Sequence, residues 1–289
     1  HVECMQVLAE AGCNTAAKDN QGVNALMSAA ESGVAAAVRA ALAVGWCELE
    51  ARSDVGSTAF WWACFTGKVE CMKLLAEAGC NTAVINNYGV TALMSAAESG
   101  VAAAVRATLA AGWCELEARS TNGHTAFLLA CFKGSVECMQ VLAEAGCDTA
   151  AKDKHGVTAL MSAAHSGVAA AVRAALAAGW CDLEATSTDG DTAFLLACFK
   201  GHVECMKLLV EAGCNTRAIN NYGANALMSA ARSGVAAAVR TALAAGWCEL
   251  EARTKLGGTA FLLACFKGHA ECMTLLAEAG CNTRAINNN

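Results

Sequence analysis

Proline is absent from all 289 residues, which removes collagen-like and polyproline readings. Charge is scarce at 16% of residues, with 20 basic against 26 acidic side chains and a formal net charge of −6. That balance argues against a nucleic-acid binder, which carries a basic face. No apolar run reaches the roughly 18 residues that span a bilayer, because Arg39, Arg106, Arg173 and Arg240 interrupt the longest ones. No charged-then-apolar leader opens the chain; it begins at His1 rather than Met and reads as a fragment. What is abundant is apolar: 56% of residues, enough for a large core and unlike a disordered chain.

Internal repetition organises the sequence. ALMSAA begins at Ala25, Ala92, Ala159 and Ala226, each 67 residues after the last, and TAF begins at Thr58, Thr125, Thr192 and Thr259 with the same spacing. The two strings interleave, giving full repeats at 19–52, 53–85, 86–119, 120–152, 153–186, 187–219, 220–253 and 254–286. Residues 1–18 are a half-repeat, and 287–289 start a further one. Of 26 glycines, 24 hold three fixed places per repeat; Gly12 matches one of these places, and only Gly258 stands outside. Such spacing marks chain reversals, because glycine enters positive φ without penalty.

Between the reversals lie two short helical patterns. The first follows Thr58 and runs to Phe65; Thr caps a helix start through its hydroxyl, and Asn24 and Asn225 are equally good caps. The second runs from Val69 to Glu77, with Cys71, Met72, Leu74, Leu75 and Ala78 at helical spacing on one apolar face. Gly79 then ends it in the left-handed region. Segments such as Asn86-Asn87-Tyr88-Gly89 read as turns at loop tips. One helix pair cannot bury its own apolar face, whereas stacked neighbours can, which makes the chain an all-α solenoid of helix-turn-helix repeats.

Gly89-x-Thr91-Ala92-Leu93, Ala96-Ala97-x-x-Gly100 and Leu74-Leu75-x-x-Ala78-Gly79 resemble the ankyrin repeat, G-x-T-P-L-H-x-A-A-x-x-G followed by L-L-x-x-G-A. The resemblance covers essentially the whole chain. Ala replaces the family's Pro, as at Ala59 and Ala92; Met94, Leu128 and Trp61 replace its His. Odd repeats carry one extra residue, Trp46 and its copies, after the third glycine. The resemblance implies a single ankyrin-type array over 1–289, with loop tips and first helices lining a concave face that grips other proteins.

Eighteen cysteines invite a metal or disulfide reading, but no Cys-x-x-Cys occurs, so the zinc signature is missing. Equivalent cysteines in stacked repeats lie roughly 8–10 Å apart, beyond the roughly 4.4–6.8 Å that a disulfide requires. They read as small buried apolar side chains, and so many free thiols fit a reducing compartment, cytosol or nucleus. Neither metal nor cofactor is expected.

No nucleophile, base and orienter converge in the pattern, and no phosphate loop is present. His124, His155, His165, His202 and His269 fall at unrelated or surface places, and the paired Glu48 and Glu50 read as a solvated edge. The copies differ mainly where recognition would sit. Loop tips carry Gln21, Val55, Tyr88, Asn122, His155, Asp189, Tyr222 and Leu256, and the place before the capping Thr carries His124 and Asp191. The end of helix one carries Glu31, Glu98, His165 and Arg232 in odd repeats. In even repeats it carries Phe65, Phe132-Lys133, Phe199-Lys200 and Phe266-Lys267.

These residues are the candidate partner-binding set. The phenylalanines and lysines form either an apolar ladder edged by positive charge, suited to a segment with acidic flanks, or core packed on the next repeat. Trp61-Trp62 stands where other repeats have Leu-Leu, as a local anchor or an overfilled core. The expected function is a protein–protein interaction scaffold with no catalysis of its own, and no nucleic acid, membrane insertion or small-molecule substrate. The alternative is the targeting arm of a larger enzyme, a kinase or ubiquitin ligase, whose catalytic domain lies elsewhere.

Overall fold

The structure is a computed structural model that describes residues 3, 7, 10–43, 45, 48–113, 115–180, 182–247 and 249–286. The leading copy of the extra tryptophan, Trp46, the cysteines Cys4, Cys47, Cys114, Cys181 and Cys248, and the segment 287–289 lie outside the described residues. Sixteen helices and no strand occur among the described residues, apart from one isolated bridge between Lys18 and Asn24. Chain contacts divide into two compact units, His1–Asp148 and Thr149–Asn289.

Unit one holds α1 Ala25–Ser32, α2 Ala35–Ala43, α3 Ala59–Phe65, α4 Val69–Glu77, α5 Ala92–Ser99, α6 Ala102–Ala110, α7 Ala126–Lys133 and α8 Val136–Glu144. Unit two holds α9 Ala159–Ser166, α10 Ala169–Ala177, α11 Ala193–Lys200, α12 Val203–Glu211, α13 Ala226–Ser233, α14 Ala236–Ala244, α15 Ala260–Lys267 and α16 Ala270–Glu278. Odd-numbered helices are the first of each repeat. Each starts on its predicted cap: Thr58 Oγ1 accepts from the Trp61 amide at 3.3 Å, and Asn24 Oδ1 from Met27 at 2.9 Å. Such a cap contributes about 1 kcal/mol. Phe60, Phe127 and Phe194, one residue inside the start, are buried, as are Leu93 and Leu160 in the alternate repeats. Each such burial stabilises by roughly 1.5–3 kcal/mol.

All 25 glycines assigned to fixed places have positive φ, and the unassigned Gly258 does not. Within each unit, first helices of neighbouring repeats pack on one another more extensively than second helices do. The inserted tryptophans fill this stack from the second turn. Trp113 meets Phe60 edge-on at 5.1 Å, and Trp247 meets Phe194 at 5.0 Å.

Three devices lock repeats in register, and each joins residues about one repeat apart. At the loop tips, the Asp54 amide donates to the Gln21 carbonyl, Asn87 to Val55, Thr121 to Tyr88, Thr188 to His155, Asn221 to Asp189 and Lys255 to Tyr222, all at 2.8–3.0 Å. On the opposite turn, Glu50 Oε1 accepts the Asn81 amide at 2.6 Å, with Glu117–Asp148, Glu184–Asn215 and Glu251–Asn282 as copies. The Glu edge is exposed, as expected, and the second carboxylate of each pair also ties two repeats together. Beside it, Arg52 Nη1 donates to the Gly56 and Ile85 carbonyls, and Arg253 Nη1 to Gly257 and Ile286.

The histidines need a correction. His202 and His269 occupy one framework place, before α12 and α16, rather than unrelated ones. Their Nε2 atoms lie 3.2 Å from the His165 carbonyl and 3.3 Å from the Arg232 carbonyl. Ser135 fills the same place in unit one, donating to the Gly100 carbonyl at 3.0 Å.

Candidate functional site

In unit two the ends of the first helices, Phe199 and Arg232, and the loop tips, Asp189, Tyr222 and Leu256, line one cavity. The tip ladder consumes backbone groups of Gln21, Val55, Tyr88, His155, Asp189 and Tyr222, so their side chains are left to face solvent. Tyr88 and Tyr222 are 57% and 60% exposed. Asn122 and Leu256 are exposed, and His124 is half-buried.

Unit one brings Glu31, Phe65, Glu98, Phe132 and Lys133 together around a cavity of about 610 Å³, with Thr66, Lys68 and Ser99 completing the wall. Gln21, Val55, Tyr88, Asn122 and His124 do not line it. Phe65 is half-buried because the Trp61 ring stacks on it at 5.0 Å, with Trp62 edge-on to both. Neither indole N–H has a hydrogen-bond partner among the described residues, an imperfection of about 1–3 kcal/mol each when such a donor is buried.

Unit two brings Asp189, Asp191, Phe199, Tyr222, Arg232 and Leu256 together around a cavity of about 750 Å³, floored by Leu196, Met228 and Leu263. His155, His165, Lys200, Phe266 and Lys267 stand outside it. Tyr222 Oη donates to Asp189 Oδ1 at 3.1 Å, and Asn220 Nδ2 donates to Asp191 Oδ1 at 2.9 Å. Burial pushes the Asp191 carboxyl above its ordinary value; Asn220 and Arg232 pull it back, and Asp189 adds to the rise. Burial, then Lys200 and His202, hold His165 below the usual imidazole range.

The phenylalanine question resolves by exposure. Phe132 and Phe199 are 52% and 37% exposed, so the packed-core alternative fails for these two and describes Phe65 in part. Phe199 does touch the next repeat, but through a surface contact: the Arg232 guanidinium lies over its ring at 5.2 Å. Lys200 and Lys267 flank their neighbouring rings at 6.0 and 5.6 Å.

The cysteines behave mainly as packing. All thirteen described cysteines are free thiols; Cys64, Cys71, Cys131, Cys138, Cys198, Cys205, Cys272 and Cys281 are buried. Cys13 is exposed, and Cys80, Cys147, Cys214 and Cys265 are half-buried. Among the described residues no group of three or more His, Cys, Asp or Glu is placed to hold a metal ion. No helix among them is long and apolar enough to cross a membrane.

The family described as ankyrin repeats (three copies) matches residues 40–112, 102–179 and 169–247, well over half of the chain. The chain belongs to the ankyrin repeat family. It is 35% identical over 105 residues to human ankyrin repeat and KH domain-containing protein 1, covering 36% of this chain and 4% of that protein. It is 27% identical over 244 residues to the NF-kappa-B inhibitor cactus of Drosophila yakuba, covering 82% of this chain and 48% of that protein. The chain thus spans half or less of the length of these curated relatives. Among solved structures it is similar to the human ASB11 ankyrin repeat domain, with a TM-score of 0.62 and 25% identity over 71% of this chain and 90% of that one. Ankyrin repeats are general protein-interaction modules, and all-helical stacking of this kind is their architecture.

Proposed function

We propose that the chain is a recognition scaffold that holds a segment of another protein against the first-helix side, without catalysis of its own. One observation carries this reading. About half of the candidate positions gather around the two cavities: Glu31, Glu98 and Lys133 in unit one and Asp189, Asp191, Tyr222, Arg232 and Leu256 in unit two vary between near-identical copies, and they surround the repeated Phe65, Phe132 and Phe199. Exposed Phe132 and Phe199 supply the large apolar contacts that dominate binding energetics. The NF-kappa-B inhibitor cactus, by its name an inhibitor of another protein, is in keeping with such a role. The net charge of −6 favours a protein over a nucleic acid as ligand, and the free thiols favour cytosol or nucleus as the compartment.

The test compares proteins captured from a cell lysate by the wild-type chain and by the double variant Phe132→Ala/Phe199→Ala, quantified by mass spectrometry. The variant should lose a defined subset while far-UV circular dichroism stays unchanged. Identical captured sets, with both proteins folded, would end the reading.

A further inference from the structure

The unit-two cavity shows which chemistry its occupant carries. Its volume, about 750 Å³, falls within the roughly 300–1,000 Å³ of preformed ligand sites. Its floor is apolar, built from Leu196, Phe199, Met228 and Leu263. The charged groups around that floor are held in different ways. Asp189 and Asp191 already accept from Tyr222 and Asn220. Arg232 and Lys255, in contrast, have no carboxylate within salt-bridge distance among the described residues. The Arg232 guanidinium carbon lies 5.2 Å from the centre of the Phe199 ring, a contact that places its donor fork beside the apolar floor.

Because loop tips join in sequence order, Asn221 to Asp189 and Lys255 to Tyr222, the wall is polarised. Acidic groups stand on repeat 187–219 and basic groups on 220–253 and 254–286.

We propose that this cavity is the anchor subsite of a partner peptide that inserts one large apolar side chain on the Leu196–Leu263 floor and places an adjacent carboxylate on Arg232 and Lys255. This inference rests on the scaffold reading and adds the anchor, its place and the sign of its neighbour. The chain itself supplies folding controls. Trp62 occupies in α3 the place that Leu196 occupies in α11, and Glu98 ends α5 where Arg232 ends α13. Leu196→Trp and Arg232→Glu therefore copy side chains that the same framework already accommodates.

The experiment pans a phage-displayed library of short random linear peptides on the immobilised 289-residue chain and on three variants. Wild type should enrich peptides that pair a large apolar residue with Asp or Glu at constant spacing. Leu196→Trp should cut their recovery roughly tenfold or more, and Arg232→Glu should abolish the acidic preference. Enriched peptides that bind both variants as well as wild type, yet are lost on Phe132→Ala, would overturn the cavity and leave the scaffold reading standing. Enrichment of basic rather than acidic neighbours would also overturn it. No enrichment of any peptide would count against the cavity and the groove together.

Discussion

The carboxylate of Glu184 accepts from the backbone amide of Asn215 at 2.7 Å, 31 residues on and in the next repeat. A charged acceptor on an otherwise unpaired amide of the next turn ties repeat to repeat at an exposed edge. Glu184→Ala should cost about 1 kcal/mol, and because stability in such arrays is close to nearest-neighbour additive, the effect should be local. Amide hydrogen exchange at Asn215 checks it: the variant should exchange faster there, whereas an unchanged rate would mean that the contact holds nothing.

Arginine at 52, 119 and 253 donates to the carbonyl four residues on, at 3.3, 3.2 and 3.0 Å, but the fourth copy of this place is Thr186. Thr186→Arg should recover the bonds to Gly190 and Ile219 carbonyls that Arg253 makes to Gly257 and Ile286. A gain of about 0.5–1 kcal/mol is expected for an exposed site. Urea unfolding of the two proteins measures it, and a midpoint at or below wild type would refute the staple.

Gly201 and Gly268 both stand at φ +74 after α11 and α15. An added Cβ at Gly201 would meet Val235 and Ser233 of the next repeat, whereas at Gly268 nothing lies within 4 Å. Each alanine variant pays about 1–2 kcal/mol for the left-handed backbone, and Gly201→Ala should lose measurably more. Equal losses in thermal melts would contradict the close approach.

Burial pushes the Cys80, Cys147 and Cys214 thiols up to about 12, with Glu50, Glu117 and Glu184 adding to the rise. Folded protein therefore holds protons that the unfolded chain releases above the ordinary thiol value of 9.0. Stability is full below that pH and falls as pH climbs from about 9 towards 12. Urea midpoints under reducing conditions at rising pH should decline through that window, and Cys80→Ala/Cys147→Ala/Cys214→Ala should flatten the decline. A midpoint independent of pH there would contradict the burial.

Much of this architecture was legible in the residues because it is local. Thr58, Asn24 and the spaced glycines fix backbone conformation within a turn, so α3 and α4 begin and end where their sequence says. The Glu50–Asn81 tie, the Arg52 staple and the tip ladder were not read, since each joins groups one repeat apart and depends on stacking distance. A constant 31-residue offset between Glu50, Glu117, Glu184, Glu251 and a small polar residue was the available signal. The candidate site was legible as a set of variable positions but not as two separate cavities. Phe65 and Phe132 occupy one helical place, yet the former is half-buried, with the Trp61 ring stacked on it and Trp62 edge-on, and the latter is exposed.

The most direct test of the account measures, by calorimetry, the affinity of a protein captured by the wild-type chain for two double variants. Phe132→Ala/Phe199→Ala removes exposed rings from the first helices, and Arg106→Ala/Arg173→Ala trims the exposed face of the second helices. The account predicts that Kd rises roughly tenfold or more for the first pair and changes by less than about twofold for the second. The opposite ranking, with both variants folded, would place recognition on the other side of the stack and contradict it.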